Sequence, residues 1–150
     1  MQTITVVFTK RNWNPVSALI RWCIPRSRFQ VAPASHCLVV DGDYLIEASM
    51  LHGVRRVPYV VAMKGQTIVE VVHFRVPDAD AGLAWVRTQV GLKYDYPGAL
   101  GLALAPDREW SDETDWFCFE LAAATLSAAG RDYFKVNAHI TGTMLQAMKP

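Results

Sequence analysis

The sequence has no marked excess of either charge and no long apolar run. Its 150 residues carry a formal net charge of +1, whereas proteins dedicated to nucleic-acid binding carry a strong basic excess. No apolar run approaches the roughly 20 residues of a membrane-spanning helix, and the N-terminus lacks the pattern of a signal peptide. We therefore expect no nucleic-acid partner, no stable membrane insertion and a cytoplasmic location. A phage-encoded or co-delivered protein fits the same pattern.

Cysteine is also scarce and irregularly spaced. The chain has three cysteines, Cys23, Cys37 and Cys118. An odd number without regular spacing does not suggest a disulfide framework. The absence of any Cys-x-x-Cys pair argues against a zinc site. We expect neither a metal nor another cofactor, and we interpret Cys23 and Cys37 as core residues.

The composition is typical of one well-packed domain spanning residues 1–150. Hydrophobic residues make up 51% of the chain and charged residues 19%, and there is no repeat, low-complexity segment or linker. Alternating and β-branched runs predict strands, and 3.6-residue periodicity predicts helices. The strands are expected at 3–9, 35–40, 43–49, 52–57 and 67–76, and the main helices at 14–24, 78–90 and 115–129. This order predicts an α+β fold with a small antiparallel sheet packed against helices.

The segment from Asp115 to Gly130 predicts a helix with marked ends. Asp115 is a favourable N-cap residue and Gly130 a favourable residue just past the C-terminus. Cys118 would then lie in the first turn, where unpaired N–H groups and the helix dipole favour a nucleophilic thiolate. A cysteine in an apolar helix is far more often a packing residue. The helix alone therefore does not assign a catalytic role to Cys118.

A predicted hairpin supplies a possible partner for this cysteine. Asp41-Gly42 is a strong signal for a two-residue turn, and that turn would place His36 directly opposite Glu47. Directly opposed side chains share a face, with Cβ atoms roughly 4.5–5.5 Å apart. An ordinary polar pair on a solvated face is the commoner outcome. The position of His36 at a strand start, and of Glu47 within an apolar run, weakens that interpretation.

The other charged side chains give weaker signals. We interpret Arg55 and Arg56, after the hairpin, first as a solvated edge and only second as groups that face a substrate. His52 and His73 have no nearby partner that suggests catalysis.

Four ordered motifs, spread from about Val7 to Leu126, resemble one known family. They are Ser35-His36 with the apolar strand after it, Leu45-Ile-Glu47-Ala followed by Gly53-Val54, Leu92-Lys-Tyr94-Asp95, and Trp116-Phe-Cys118-Phe-Glu120-Leu. Together they resemble the circularly permuted NlpC-like cysteine peptidases and amidases, the YaeF/YiiX-like group. Lecithin retinol acyltransferase is a more distant relative of that group.

The resemblance implies a permuted papain-like fold in which the histidine precedes the cysteine. It implies that Cys118 is the nucleophile, His36 the general base and Glu47 the residue that orients the imidazole. It also implies an oxyanion or substrate-binding region that contains Tyr94, with Ser35 and Trp116 as further members. One departure is Phe119, because relatives often have serine at this position beside the nucleophile.

The family resemblance implies hydrolysis of an amide or isopeptide bond, with peptidoglycan peptides as the leading substrate class. A thioesterase or lipid acyltransferase is a second hypothesis. It would be favoured by an apolar groove lined by Trp110, Trp116, Phe117 or residues 99–105. A third hypothesis, from a different class, is a non-catalytic binding or assembly module that keeps the fold.

Overall fold

The computed structural model describes residues 1–11, 34–95, 115–132 and 142–148. The predicted helix at 14–24 lies outside these residues, as do Cys23, Trp110 and residues 99–105. The strands are β1 (Gln2–Arg11), β2 (His36–Asp41), β3 (Tyr44–Ser49), β4 (Gly53–Pro58) and β5 (Gln66–Val76). The helices are α1 (Tyr59–Ala62), α2 (Ala79–Thr88), α3 (Cys118–Ala128) and α4 (Gly142–Ala147).

The five strands form one antiparallel sheet in the order β4-β3-β2-β1-β5. The predicted α+β class with a small antiparallel sheet is therefore confirmed, and the predicted strands match the observed ones to within two residues at each end. No helix in the described part of the chain is long and apolar enough to cross a membrane.

The two faces of the sheet carry separate apolar clusters because side chains alternate along a strand. On one face, β1 buries Val6 and Phe8 in the main core together with residues of α2 and α3. On the other face, Val7 packs with Leu38 and Leu45 in a smaller cluster. The long helix α3 lies over β2 and β3, so its first residues come close to the start of β2.

Helix α3 starts later than the sequence predicts. Its N-cap is Phe117, not Asp115, and Cys118 is the first helical residue. The physical reason is a backbone connection just before the helix. The N–H of Trp116 donates to the carbonyl of Lys93 at 3.2 Å, and the N–H of Asp95 donates to the carbonyl of Trp116 at 3.2 Å. These two bonds hold Trp116 in an extended bridge and keep it out of the helix.

The predicted end of α3 is confirmed. Gly130 has a φ of 84°, which suits glycine better than other residues. Its N–H donates to the carbonyl of Ser127 at 2.8 Å, and the N–H of Arg131 donates to the carbonyl of Leu126 at 3.0 Å. This pair of bonds is the Schellman pattern, which satisfies the last carbonyls of a helix.

The hairpin between β2 and β3 differs from the prediction by one turn position. Asp41 pairs with Tyr44, so the turn residues are Gly42 and Asp43. Gly42 has a φ of 62°, and no non-glycine residue in the described part has a positive φ, as a type II′ turn requires. Asp41 is a buried strand residue bonded to Arg56 at 2.5 Å, a tertiary contact that outweighs its turn preference.

This change moves the register between β2 and β3 by two residues. The pairing of β2 with β3 extends from Asp41–Tyr44 to Val39–Ile46. In the same register, His36 would lie opposite Ser49, not Glu47. The predicted direct opposition is therefore wrong. A shift of one residue would have sent Glu47 to the other face, but a shift of two keeps it on the face of His36. The two side chains still meet, diagonally.

Candidate active site

A short backbone path positions the N-terminus of α3 against the sheet. The first residue of β4, Gly53, has a φ of 66°, and a Cβ there would lie 2.2 Å from the carbonyl oxygen of Leu92. The N–H of the next residue, Val54, donates to the same Leu92 carbonyl at 2.8 Å. Lys93, next in the chain, is bonded to Trp116 as described above. Two family-like motifs are thus joined through backbone contacts that require glycine at position 53.

Cys118 lies at the first position of α3 and is 3% exposed. The N–H groups in the first turn of a helix have no partner within the helix, and together with the dipole they favour negative charge. The prediction that Cys118 lies in the first turn is confirmed, although the cap differs.

His36 connects the thiol to a carboxylate. Its Nε2–H donates to Glu47 Oε2 at 2.5 Å, and a hydrogen bond and the charge of Cys118 contribute to the raised pKa of the imidazole. Because Nε2 is used by Glu47, Nδ1 is the ring nitrogen left for the thiol. The His36 side chain is 14% exposed and the Glu47 side chain 0%. Cys118 of α3, His36 of β2 and Glu47 of β3 therefore form one interacting chain, and its middle member, His36, is the most exposed of the three.

The electrostatics of this chain favour an ion pair between Cys118 and His36. Burial acts to lower the pKa of His36, but the hydrogen bonds and charges of Cys118 and Glu47 outweigh it and raise the pKa to about 9. Burial acts to raise the pKa of Cys118, but hydrogen bonds from Cys37 and His36 and the charge of His36 lower it to about 5. Between these values, thiolate and imidazolium are the stable forms.

Glu47 is the charged end of the chain and has a second partner. Arg55 donates to Glu47 Oε1 through Nε at 2.8 Å and through Nη2 at 2.6 Å. Burial acts to raise the pKa of Glu47, but the hydrogen bonds and charges of His36 and then of Arg55 lower it to about 2. The carboxylate is therefore ionised although no part of its side chain is exposed to solvent.

The contact of Arg55 with Glu47 was missed by the sequence interpretation, which placed Arg55 on a solvated edge. Its side chain is 24% exposed and its guanidinium is bonded to the site. The available signal was the register of the second hairpin, where Glu47 pairs directly with Arg55.

Cys37 is a core residue, as predicted, with 1% exposure, and it also touches the site. Its Sγ–H donates to the backbone carbonyl of Cys118 at 3.1 Å. Burial first, and then the neighbouring Cys118, raises the pKa of the Cys37 thiol well above its ordinary value. Cys37 is thus a neutral thiol beside Cys118, and its proximity contributes to the lowered pKa of Cys118.

Trp116 lies just before α3, and Tyr94 lies beside it on a neighbouring segment. They form a parallel backbone bridge. The Tyr94 ring packs edge-on against Phe117, with centroids 6.2 Å apart. The Trp116 indole packs edge-on against Trp85 at 5.4 Å. Their proposed parts in oxyanion or substrate binding remain predictions.

Ser35 precedes His36, and its backbone anchors the start of β2. Its N–H donates to the Thr9 carbonyl at 3.0 Å, and the residue is 6% exposed. The proposed part of Ser35 in substrate binding likewise remains a prediction.

The two residues that follow Cys118 have different surroundings, apart from the turn of helix that they share. Phe119 is fully buried and packs edge-on against Phe117 at 5.3 Å, so the residue that departs from the family pattern points into the core. Glu120 is half-buried, and burial, followed by the charges of Asp95 and Cys118, raises its pKa to about 7. The sequence interpretation used Glu120 only as part of a motif. In the structure its pKa is affected by the charge of Cys118.

In the described residues, no group of three or more histidine, cysteine or acidic side chains could hold a metal ion. Comparisons with protein families, curated proteins and solved structures found no match to this chain. The family resemblance therefore depends on the motifs of this sequence alone.

Proposed function

We propose that this protein is a cysteine hydrolase of the permuted papain-like type that cleaves an amide or isopeptide bond through a thioester on Cys118. The observation that carries the proposal is the hydrogen-bonded chain from Cys118 through His36 to Glu47. Its members come from a helix N-terminus and two strands, and the chain is separated from bulk water except at the imidazole. A nucleophile, a base and a residue that orients the base, each within hydrogen-bond reach, are the parts that covalent acyl transfer requires.

The reaction follows from the charges of these residues. The Cys118 thiolate attacks the carbonyl carbon, and the carbonyl oxygen becomes an oxyanion beside the first N–H groups of α3. The imidazolium of His36 gives its Nδ1 proton to the leaving amine, so that the C–N bond breaks and a thioester remains. Neutral His36 then takes a proton from water, whose oxygen attacks the thioester and releases the acid and the thiolate.

Glu47 supports both steps without reacting. It accepts a hydrogen bond from Nε2–H, which fixes the tautomer with Nδ1 facing Cys118, and its charge stabilises the imidazolium. A peptide amide or isopeptide, such as those of peptidoglycan peptides, is the substrate class that the motifs favour.

The thioesterase or lipid acyltransferase hypothesis has less support among the described residues. Phe117, one of the residues proposed for an apolar groove, is 2% exposed and belongs to the core. Trp116 is partly buried against Trp85. The remaining groove candidates lie outside the described residues. The ion-pair electrostatics of Cys118 and His36 favour a hydrolase over the binding-module hypothesis, because a thiolate is the form that covalent catalysis uses.

Trapping of the acyl-enzyme tests the proposal. The protein is mixed with peptide amides, isopeptides, muropeptides and acyl esters, quenched in acid, and analysed by mass spectrometry of the peptide that contains Cys118. We expect an acyl adduct on Cys118 with an amide or isopeptide substrate, and no turnover by Cys118→Ala. Cys37→Ala keeps the nucleophile and should still form the adduct. Wild-type turnover by Cys118→Ala would contradict the proposal, and adducts from acyl esters alone would support the thioesterase hypothesis.

A further inference from the structure

We propose that Arg55 is a positioning residue of this site: by keeping Glu47 ionised, it keeps the proton on His36 and thereby keeps Cys118 as a thiolate. The inference rests on the proposed function, since it concerns the same nucleophile. It goes further because none of the sequence motifs that indicated the site contains Arg55.

Arg55 contacts Glu47 through two hydrogen bonds from its guanidinium group. Arg55 lies directly across from Glu47 on the neighbouring strand, and two of its nitrogens, Nε and Nη2, bond one oxygen, Oε1. The other oxygen, Oε2, is bonded by His36. The two oxygens of Glu47 thus have separate cationic partners on opposite sides, and a fully buried carboxylate receives charged hydrogen bonds at both.

A charge count shows why the arginine matters to the thiol. Cys118 and Glu47 carry one negative charge each, and His36 and Arg55 carry one positive charge each. Among the described residues, other titratable groups nearby are Cys37, a neutral thiol bonded to the backbone of Cys118, and Glu120, whose pKa responds to Asp95 and Cys118. The four charged groups together are neutral, which is the arrangement that burial tolerates best.

Loss of the guanidinium would leave one uncompensated negative charge in the buried chain. A buried carboxylate without a cationic partner binds a proton more readily. The nearest proton is on His36 Nε2, and its transfer to Glu47 leaves a neutral imidazole. Cys118 would then lose its countercharge, and its thiolate would form only at higher pH.

Arg56 provides a matched control because it is the next residue on the same strand. Its Nε donates to Asp41 Oδ2 at 2.5 Å, and its guanidinium lies over the Tyr44 ring, 3.8 Å from the centroid. It too is paired with a buried carboxylate on the β2–β3 hairpin, but that carboxylate has no part in the proposed mechanism.

The experiment compares Arg55→Met, Arg55→Lys and Arg56→Met. Alkylation of Cys118 by iodoacetamide is followed against pH by mass spectrometry, and kcat and KM are measured on a substrate found in the trapping screen. We expect Arg55→Met to raise the midpoint of thiol titration by about one unit or more and to lower kcat roughly 10–100-fold. Arg55→Lys, which restores the charge without the planar fork, should recover part of both. Arg56→Met should leave the midpoint unchanged.

Two outcomes separate failure of this inference from failure of the proposed function. A folded Arg55→Met with the wild-type midpoint would overturn the role of Arg55 while leaving the nucleophile intact. A wild-type midpoint near the ordinary cysteine value of about 8.5, unaffected by His36→Ala, would overturn the proposed function itself. If Arg55→Met does not fold, Arg55→Gln, which keeps a donor but no charge, gives the same comparison.

Discussion

The β2–β3 hairpin buries two carboxylates, Asp41 at its turn and Glu47 near its far end, and their surroundings differ in one respect. Asp41 is 2% exposed and is bonded by two guanidinium groups, Arg56 Nε and Arg87 Nη2, each at 2.5 Å. Glu47 is 0% exposed and is bonded by one guanidinium, Arg55, and by the imidazole of His36. Each carboxylate thus has one arginine partner on β4. The other partner of Asp41 is a second arginine, whereas the other partner of Glu47 is a histidine that also interacts with a cysteine.

This difference separates a structural ion pair from a candidate catalytic one. An arginine stays charged at every pH at which the protein is folded, so the Asp41 cluster has a fixed charge distribution. A histidine gains and loses its proton near neutral pH, so the Glu47 cluster has a proton that can move. The Asp41 cluster links β2, β4 and α2, whereas the Glu47 cluster ends at a helix N-terminus with a thiol.

Neutralising each carboxylate in turn should affect different properties of the protein. Glu47→Gln removes the charge that supports the imidazolium, and we expect a loss of kcat of roughly 10²–10⁴-fold in a protein that still folds. Asp41→Asn should leave the rate close to that of wild type and lower the free energy of unfolding by about 1–2 kcal/mol. Single-turnover rates and urea unfolding measure the two quantities. Equal rates for wild type and Glu47→Gln would remove Glu47 from the mechanism.

The pH dependence of kcat/KM should also distinguish the two clusters, although the expected changes are smaller than the loss of kcat in Glu47→Gln. Activity should rise as Cys118 loses its proton near pH 5 and fall as His36 loses its proton near pH 9. Asp41→Asn should leave both limbs in place. Glu47→Gln should move the upper limb to lower pH, because the imidazolium loses its negative neighbour. A single limb in the wild type, or an upper limb that does not respond to Glu47→Gln, would contradict the assignment.

The same two carboxylates should make the folding stability of the protein fall at acid pH. The hydrogen bonds and charges of Arg87 and Arg56, against the opposing effect of burial, lower the pKa of Asp41, and the pKa of Glu47 is also lowered. Each carboxylate therefore stabilises the fold above its unfolded pKa, about 3.9 for Asp and 4.3 for Glu. That stability is lost as the pH falls through the folded values.

The sequence predicted the elements better than the contacts between them. A run of residues that favour strands identified β1, and a glycine identified the end of α3, because both signals depend on nearby residues. The turn at Asp41 was misplaced because that side chain is held by Arg87, 46 residues away. The helix start at Asp115 was misplaced because Trp116 is bonded to Lys93 in a distant segment.

The sequence predicted the main residues of the candidate site but not all of the contacts between them. His36 and Glu47 meet although the register was wrong, because an error of two residues preserves the face. Arg55 was missed because its strand was predicted without a pairing register. Cys37 was correctly placed in the core, but its hydrogen bond to the Cys118 carbonyl depends on how α3 packs over β2, which no local pattern encodes.

The most direct measurement is the pH dependence of Cys118 alkylation in wild type and in His36→Ala. Cys37 must be retained, since it contacts Cys118, and mass spectrometry of the Cys118 peptide separates the thiols. We predict a wild-type titration midpoint near pH 5 that returns toward the ordinary cysteine value of about 8.5 in His36→Ala. A wild-type midpoint at the ordinary value, unchanged in His36→Ala, would contradict the ion pair and with it the proposed hydrolase.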